Sequence, residues 1–225
     1  MAEPLVEARG VDKSYRRGAE RVHALREVSL ALYPGELVAL VGPSGPGKSS
    51  LLGVLAGWEA PDAGQLVWSP ALSGSGADLP WSELAMVPQA LGLLDDLSVR
   101  ENVALPLRLG RPDGRDGAGR GRTEELLDQF GLGELADRSP SETSLGQQQR
   151  AAVARALVCG PQLVLADEPS AHQDAAWVAD VFAALRHATH ERSGACLVAT
   201  HDPDALRFAD RVLSLVDGTL TEVTP

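Results

Sequence analysis

The sequence predicts an α/β fold in which a mainly parallel sheet is covered by helices on both faces, and three observations predict it. Apolar strand-like runs alternate with segments of helical period along most of the 225 residues. A glycine-rich loop, Gly42-Pro43-Ser44-Gly45-Pro46-Gly47-Lys48-Ser49, stands between one such strand and one such helix. Further on, the apolar run Leu163-Val164-Leu165-Ala166 ends in the adjacent carboxylates of Asp167 and Glu168.

In chain order, short strands are expected at Leu5 to Ala8, at Ala24 to Leu32 and, after the turn Tyr33-Pro34-Gly35, at Glu36 to Val41. The last runs directly into the glycine loop. Leu51, Leu52, Val54 and Leu55 recur at helical spacing, so a helix is expected over Lys48 to Ala56. Strands follow at Gly64 to Trp68 and Leu84 to Pro88, separated by a Gly/Ser/Pro-rich loop over 69 to 80. Val99 to Leu109 reads as a helix. Residues 110 to 122 carry five glycines and four arginines without a large apolar residue and are expected to form a flexible surface loop. Helices are then expected at Thr123 to Phe130, Gln147 to Cys159 and Ala175 to His190, with buried strands at Gln162 to Ala166 and Ala195 to Thr200. No internal repeat is visible, and the length suits a single domain over residues 1–225.

Composition narrows the function. Twenty basic against 31 acidic residues give a formal charge of -11, which argues against a partner with a phosphate backbone, so no nucleic acid is expected. The two cysteines, Cys159 and Cys196, lie in apolar stretches and read as reduced buried thiols, in keeping with the cytoplasm. No apolar run reaches the roughly 18 residues of a membrane span, and Met1 to Gly10 lacks a signal-peptide core. Isoleucine is absent, Asn102 is the single asparagine, and only Lys13 and Lys48 stand beside eighteen arginines. In such a composition the ammonium of Lys48 is informative.

Gly42, Gly47, Lys48 and Ser49 satisfy the phosphate-loop pattern in its required strand-to-helix context. Glycines let backbone N–H groups close around phosphate oxygens, Lys48 supplies a point charge, and the Ser49 hydroxyl is a hard ligand for Mg²⁺. Asp167 and Glu168, at the end of a buried strand, suit a Mg²⁺ shell held by one carboxylate and a water oriented by the other. The loop alone leaves kinases and GTPases open, although the Asn-Lys-x-Asp guanine box is missing.

With Tyr15, the glycine loop, Gln89, the run Ser144-Leu145-Gly146-Gln147-Gln148-Gln149-Arg150, Asp167-Glu168, Asp174 and His201 in this order, the chain resembles the ATP-binding-cassette family over nearly its whole length. The resemblance implies a P-loop NTPase core with a mainly parallel sheet, an antiparallel β subdomain and a helical signature subdomain at approximately 90–160. It also implies ATP and Mg²⁺ as ligands. Tyr15 would stack on adenine, while Gly42, Pro43, Ser44, Gly45, Pro46, Gly47, Lys48, Ser49 and Ser50 would hold the phosphates. Ser49, Gln89 and Asp167 would hold the metal, Gln89 would also reach the attacking water as a catalytic residue, Glu168 would act as the catalytic carboxylate, and His201, also catalytic, would meet the γ-phosphate. Ser144, Gly146 and Gln147 would act in trans on the nucleotide of a second ATPase subunit, in a homodimer, with Asp174 between the subunits. The loop Ala90 to Val99 would touch integral membrane permease subunits, placing the chain on the inner, cytoplasmic face of the membrane. Val22-His23-Ala24-Leu25, Glu101 to Leu107 and Leu165 to Pro169 look most like the branch that drives lipoprotein release, macrolide-type efflux and the cell-division complex.

Three positions depart from the family pattern. Leu145 replaces a signature glycine, Pro46 removes one N–H from the phosphate cradle, and Gln173 stands where an apolar residue is usual. Ser144 and Gly146 remain, so the resemblance implies weakened activity at most. A slow-turnover regulatory subunit and a soluble, non-transport ATPase are the alternatives; coiled-coil insertions, zinc-type cysteine pairs and a second cassette, which would mark the latter, are missing.

Overall fold

The computed structural model describes residues 3–18, 20–110, 117–171, 174–191 and 193–223. Its strands are β1 (Val6–Arg17), β2 (Glu20–Leu32), β3 (Leu37–Val41), β4 (Ala63–Trp68), β5 (Leu84–Val87), β6 (Leu163–Asp167), β7 (Ala195–Ala199), β8 (Arg211–Val216) and β9 (Thr219–Val223). The α-helices are α1 (Pro46–Leu55), α2 (Val99–Leu109), α3 (Gly117–Gln129), α4 (Leu145–Leu157) and α5 (Ala175–Glu191). Two sheets form: a six-stranded one in the order β5-β6-β7-β3-β8-β9, parallel except for β9, and a three-stranded antiparallel one in the order β2-β1-β4.

Strands β6 and β7 are buried at every residue, as expected for the middle of a parallel sheet covered on both sides. The pleat sends alternate side chains to opposite faces. Val164, Ala166, Cys196 and Val198 pack with Phe130, Phe182 and Leu157 of the helical side. Leu163, Leu165, Ala195 and Leu197 pack with Leu51, Leu52 and Leu55 of α1 and with Leu25, Leu30 and Leu32 of β2. Helix α1 is therefore sandwiched between the two sheets. Neither Cys159 nor Cys196 is in a disulfide, and burial pushes the Cys196 thiol up.

The structure corrects several expectations. Strands β1 and β2 are much longer than Leu5–Ala8 and Ala24–Leu32, because their polar outer halves pair with one another through a turn at Gly18. Strands β8 and β9, which sequence reading leaves out, complete the sheet around an Asp217-Gly218 turn. The expected loop at 110–122 is a helix from Gly117 onward; residues 111–116 lie outside the described residues, as does Gln173. A β-carbon on Gly119 would come within 3.1 Å of Leu107, so α3 uses glycine to lie close to α2. Thr123 Oγ1 adds a bond to the Gly119 carbonyl. Among the described residues, no helix is long and apolar enough to cross a membrane.

Candidate nucleotide site

Parallel register brings the site residues to one edge. Val87 of β5 lies beside Ala166 of β6, and Asp167 lies beside Ala199 of β7, which in turn pairs with Leu40 of β3. The residues that follow each strand, Gln89, Glu168, His201 and Gly42, thus emerge together at the carboxyl ends of four adjacent strands. Ligand sites of open α/β sheets form at this edge.

The glycine loop turns there from β3 into α1. A β-carbon on Gly42 would sit 2.2 Å from the Leu215 carbonyl oxygen, and one on Gly47 would sit 3.0 Å from the Ala24 carbonyl oxygen. Only glycine lets the loop pass this close to β8 and β2. Pro46 occupies the first turn of α1, and no acidic residue blocks that turn. Since an N–H at the first helical position has no intrahelical partner, Pro46 costs the helix nothing, and its fixed φ favours the helix start. The remaining free N–H groups and the helix dipole make the turn an anion site. Lys48 is buried, and its ammonium donates to the carbonyls of Gly42 and Pro43 at 2.9 Å each.

Behind the loop, Ser50 shares a 2.9 Å hydrogen bond with the Tyr15 hydroxyl, which also donates to Glu59. Burial and the Glu59 carboxylate push the Tyr15 phenol up to about 12. Tyr15 is thereby anchored to the helix that carries the phosphate loop.

Across the edge, Asp167 is buried, and desolvation raises its carboxyl, with the Glu168 charge adding to that shift and a Ser49 hydrogen bond and the Lys48 charge opposing it. This pairing of a serine hydroxyl with a carboxylate beside a phosphate loop is a hard-oxygen donor set that fits Mg²⁺. Glu168 adopts φ 51°, a left-handed conformation uncommon outside glycine. Three contacts hold it there. Its N–H donates to the Ala199 carbonyl at 2.9 Å, its carbonyl accepts from Gln149 Nε2 at 3.2 Å, and its Oε1 lies 2.9 Å from His201 Nδ1. Backbone strain of this kind clusters at functional sites. Ser44, Gln89, Leu145, Glu168 and His201 line one open cleft of about 770 Å³.

The signature run caps α4. Ser144 Oγ accepts from the Gln147 N–H at 3.3 Å, and Gln147 Oε1 accepts from the Ser144 N–H at 2.8 Å, a complete capping box. Leu145, at the first helical position, is half exposed at the cleft. Asp174 does the same service for α5, where its carboxylate accepts from the Trp177 N–H at 3.1 Å.

Three residues at this site escaped the sequence reading. Gln149 holds the Glu168 carbonyl; Arg155 donates to the carbonyls of Leu91 and Gly92 at 2.5 and 2.6 Å; and Asn102, fully buried, bonds the backbone at Leu94, Leu97 and Ser98. The signal for Asn102 was its being the sole asparagine. For Arg155 it was a charge inside the all-apolar stretch Ala151 to Leu157.

Residues 25–171 match the family model described as ABC transporter. The chain is 41% identical over 230 residues to the lipoprotein-releasing system ATP-binding protein LolD 2 of Caulobacter vibrioides, covering 98% of both chains. It is 37% identical over 225 residues to the macrolide export ATP-binding/permease protein MacB 1 of Aeromonas hydrophila, covering 98% of this chain and 34% of that one. Among solved structures, the ATP-binding cassette MJ0796, a dimer in a post-hydrolysis state bound to ADP and Pi, superposes with a TM-score of 0.87 at 31% identity, covering 98% of this chain and all of that one.

Proposed function

The chain belongs to the ATP-binding-cassette transporter family, and from that footing we propose that it pairs head to tail with a second copy around two Mg-ATP and drives separate membrane-spanning subunits. It is an ATP-binding, ATP-hydrolysing subunit of a transporter. The observation that carries the mechanistic reading is the convergence of Lys48, Asp167, Glu168 and His201 at one sheet edge.

In this reading the α1 N-terminus and the Lys48 ammonium take the phosphates, exchanging the loop carbonyls of Gly42 and Pro43 for phosphate oxygens. The aromatic face of Tyr15 takes the adenine. Ser49, Asp167 and Gln89 hold Mg²⁺, which when bound neutralises charge on the β- and γ-phosphates. Glu168 accepts the proton of a water in line with the γ-phosphate. His201, 2.9 Å from the Glu168 carboxylate, fixes that oxygen and reaches the γ-phosphate with its other nitrogen. The partner's α4 N-terminus, capped by its Ser144, supplies the second anion site, so one chain alone holds half of each site.

The lipoprotein-releasing and macrolide-export names of the relatives support a place in that branch, on the cytoplasmic face of the membrane through the partner. Glu168→Gln tests the reading. It is expected to abolish turnover while leaving ATP bound, so that the apparent mass on a sizing column doubles with ATP. A Glu168→Gln chain that stays monomeric with ATP contradicts the head-to-tail pair.

A further inference from the structure

We propose that Arg155 is the positioning residue through which helix α4 sets Gln89 of its own subunit. This inference rests on the nucleotide-site reading above and adds to it a physical link between two of its parts. Arg155 is buried at 7% exposure in the last turn of α4, and desolvation lowers its guanidinium pKa. Among the described residues, no carboxylate pairs with it. Burying a cation without an acid is costly, and a methionine of similar length would fill the same space. A role in packing alone leaves that cost unexplained.

The guanidinium instead forks onto two consecutive carbonyls, Leu91 at 2.5 Å and Gly92 at 2.6 Å, two and three residues after Gln89. Gly92 has φ 58°, the left-handed turn that points both carbonyls at one group. A planar fork fits such a pair, and a lysine ammonium does not reproduce it. Farther along the same loop, Asn102 of α2 fastens Leu94, Leu97 and Ser98. The loop after Gln89 is thus pinned at both ends by helices, and the pin nearer Gln89 belongs to the helix that begins at Ser144. Thirteen residues of α4 span about 20 Å at 1.5 Å per residue. Being rigid over that length, α4 carries any displacement of its N-terminus to Leu91 and Gly92, and so to Gln89. Closure of a partner nucleotide on Ser144 then adjusts the cis site without direct contact.

The test uses single-turnover ATP hydrolysis by the full chain, with protein in excess, for wild type, Arg155→Lys, Arg155→Met, Gln89→Ala and the double variant Gln89→Ala/Arg155→Met. Because a small misplacement of a site group slows chemistry more than it weakens binding, Arg155→Met is expected to cut the rate about tenfold with ATP affinity within about twofold of wild type. Arg155→Lys should fall between. In the Gln89→Ala background, Arg155→Met should cost less than about a further twofold, since a residue acting through Gln89 has nothing left to position. Additive losses in the double variant, a wild-type rate for Arg155→Met, or a parallel loss of ATP affinity each overturn the proposal. If Arg155→Met does not fold, the same cycle run with Arg155→Lys decides it. Glu168→Gln serves as the control: wild-type hydrolysis by that variant would instead overturn the site reading.

Discussion

Asp167 shows a single side chain working against the fold that holds it. Burial raises its carboxyl above the ordinary 3.8, so the folded chain binds this proton more readily than the unfolded chain does. Stability from this group is therefore present at low pH and falls as pH rises from about 4 through the raised folded value. Once ionised, above that raised value, the buried carboxylate is a net burden on the fold. Asp167→Asn is expected to raise the thermal midpoint at pH 7 by roughly 2–4 °C and to flatten that pH dependence, while hydrolysis is lost; calorimetry across pH 4 to 8 with a parallel ATPase assay checks both. Lys48→Ala should behave oppositely for binding, with ATP affinity lowered at least about tenfold by removal of the phosphate's point charge, measured by titration with a fluorescent nucleotide. Lys48, Asp167 and Glu168 were legible in the sequence because their spacing is local. Gln149 and Arg155 were not, because each bonds a backbone carbonyl, at positions 168 and 91–92, and a carbonyl leaves no trace in residue type.

Between elements, the junction of α3, α4 and α5 is fixed by one ring. Gly131 closes α3 with φ 62°, its N–H bonding Asp128 and the next N–H, of Leu132, bonding Leu127 at 2.7 Å, the pattern of a Schellman cap. The Trp177 ring of α5 lies against it, 2.6 Å from where a β-carbon would be, and the Arg150 guanidinium of α4 stacks on the same ring at 3.8 Å. Gly131→Ala is therefore expected to destabilise by about 2–4 kcal/mol, from overpacking plus the left-handed φ. In a Trp177→Ala background the cost should drop to about 1 kcal/mol, the backbone part alone, as read by urea denaturation of the four chains. Most elements here followed from hydrophobic period, and α2 was placed to the residue. The start of α3 was hidden because Gly117, Gly119 and Gly121 argue against helix locally, whereas packing on Leu107 favours it. Strand β8 was missed although Asp217-Gly218 is a hairpin signal; its Val212, Leu213 and Leu215 are too few to stand out beside the polar Thr219–Val223.

At the scale of the whole molecule, the fold sets two anion sites, the first turn of α1 and the first turn of α4, at the N-termini of different helices. In the proposed head-to-tail pair of two copies, each nucleotide would see one of each. Ser144→Arg is expected to leave ATP affinity of the single chain within about twofold, since Ser144 lies outside the phosphate loop, while abolishing the ATP-dependent dimer by bulk at the pair interface. Light scattering with and without ATP, alongside nucleotide titration, checks this. The overall α/β class was legible because strand and helix alternate along the chain; which strands neighbour which was not, since β3 sits between two strands that come more than 150 residues later.

That order has a bearing on biogenesis. The phosphate loop is braced by the Leu215 carbonyl that crowds Gly42, so the residues most diagnostic of the site emerge from the ribosome early but gain their wall only when β8 follows. A nascent chain released or stalled before Arg211 would carry every motif and yet lack a rigid cradle. In such a chain the loop would lack the β8 wall against which Gly42 packs, so a firm grip on nucleotide would follow, and not precede, closure of the final hairpin.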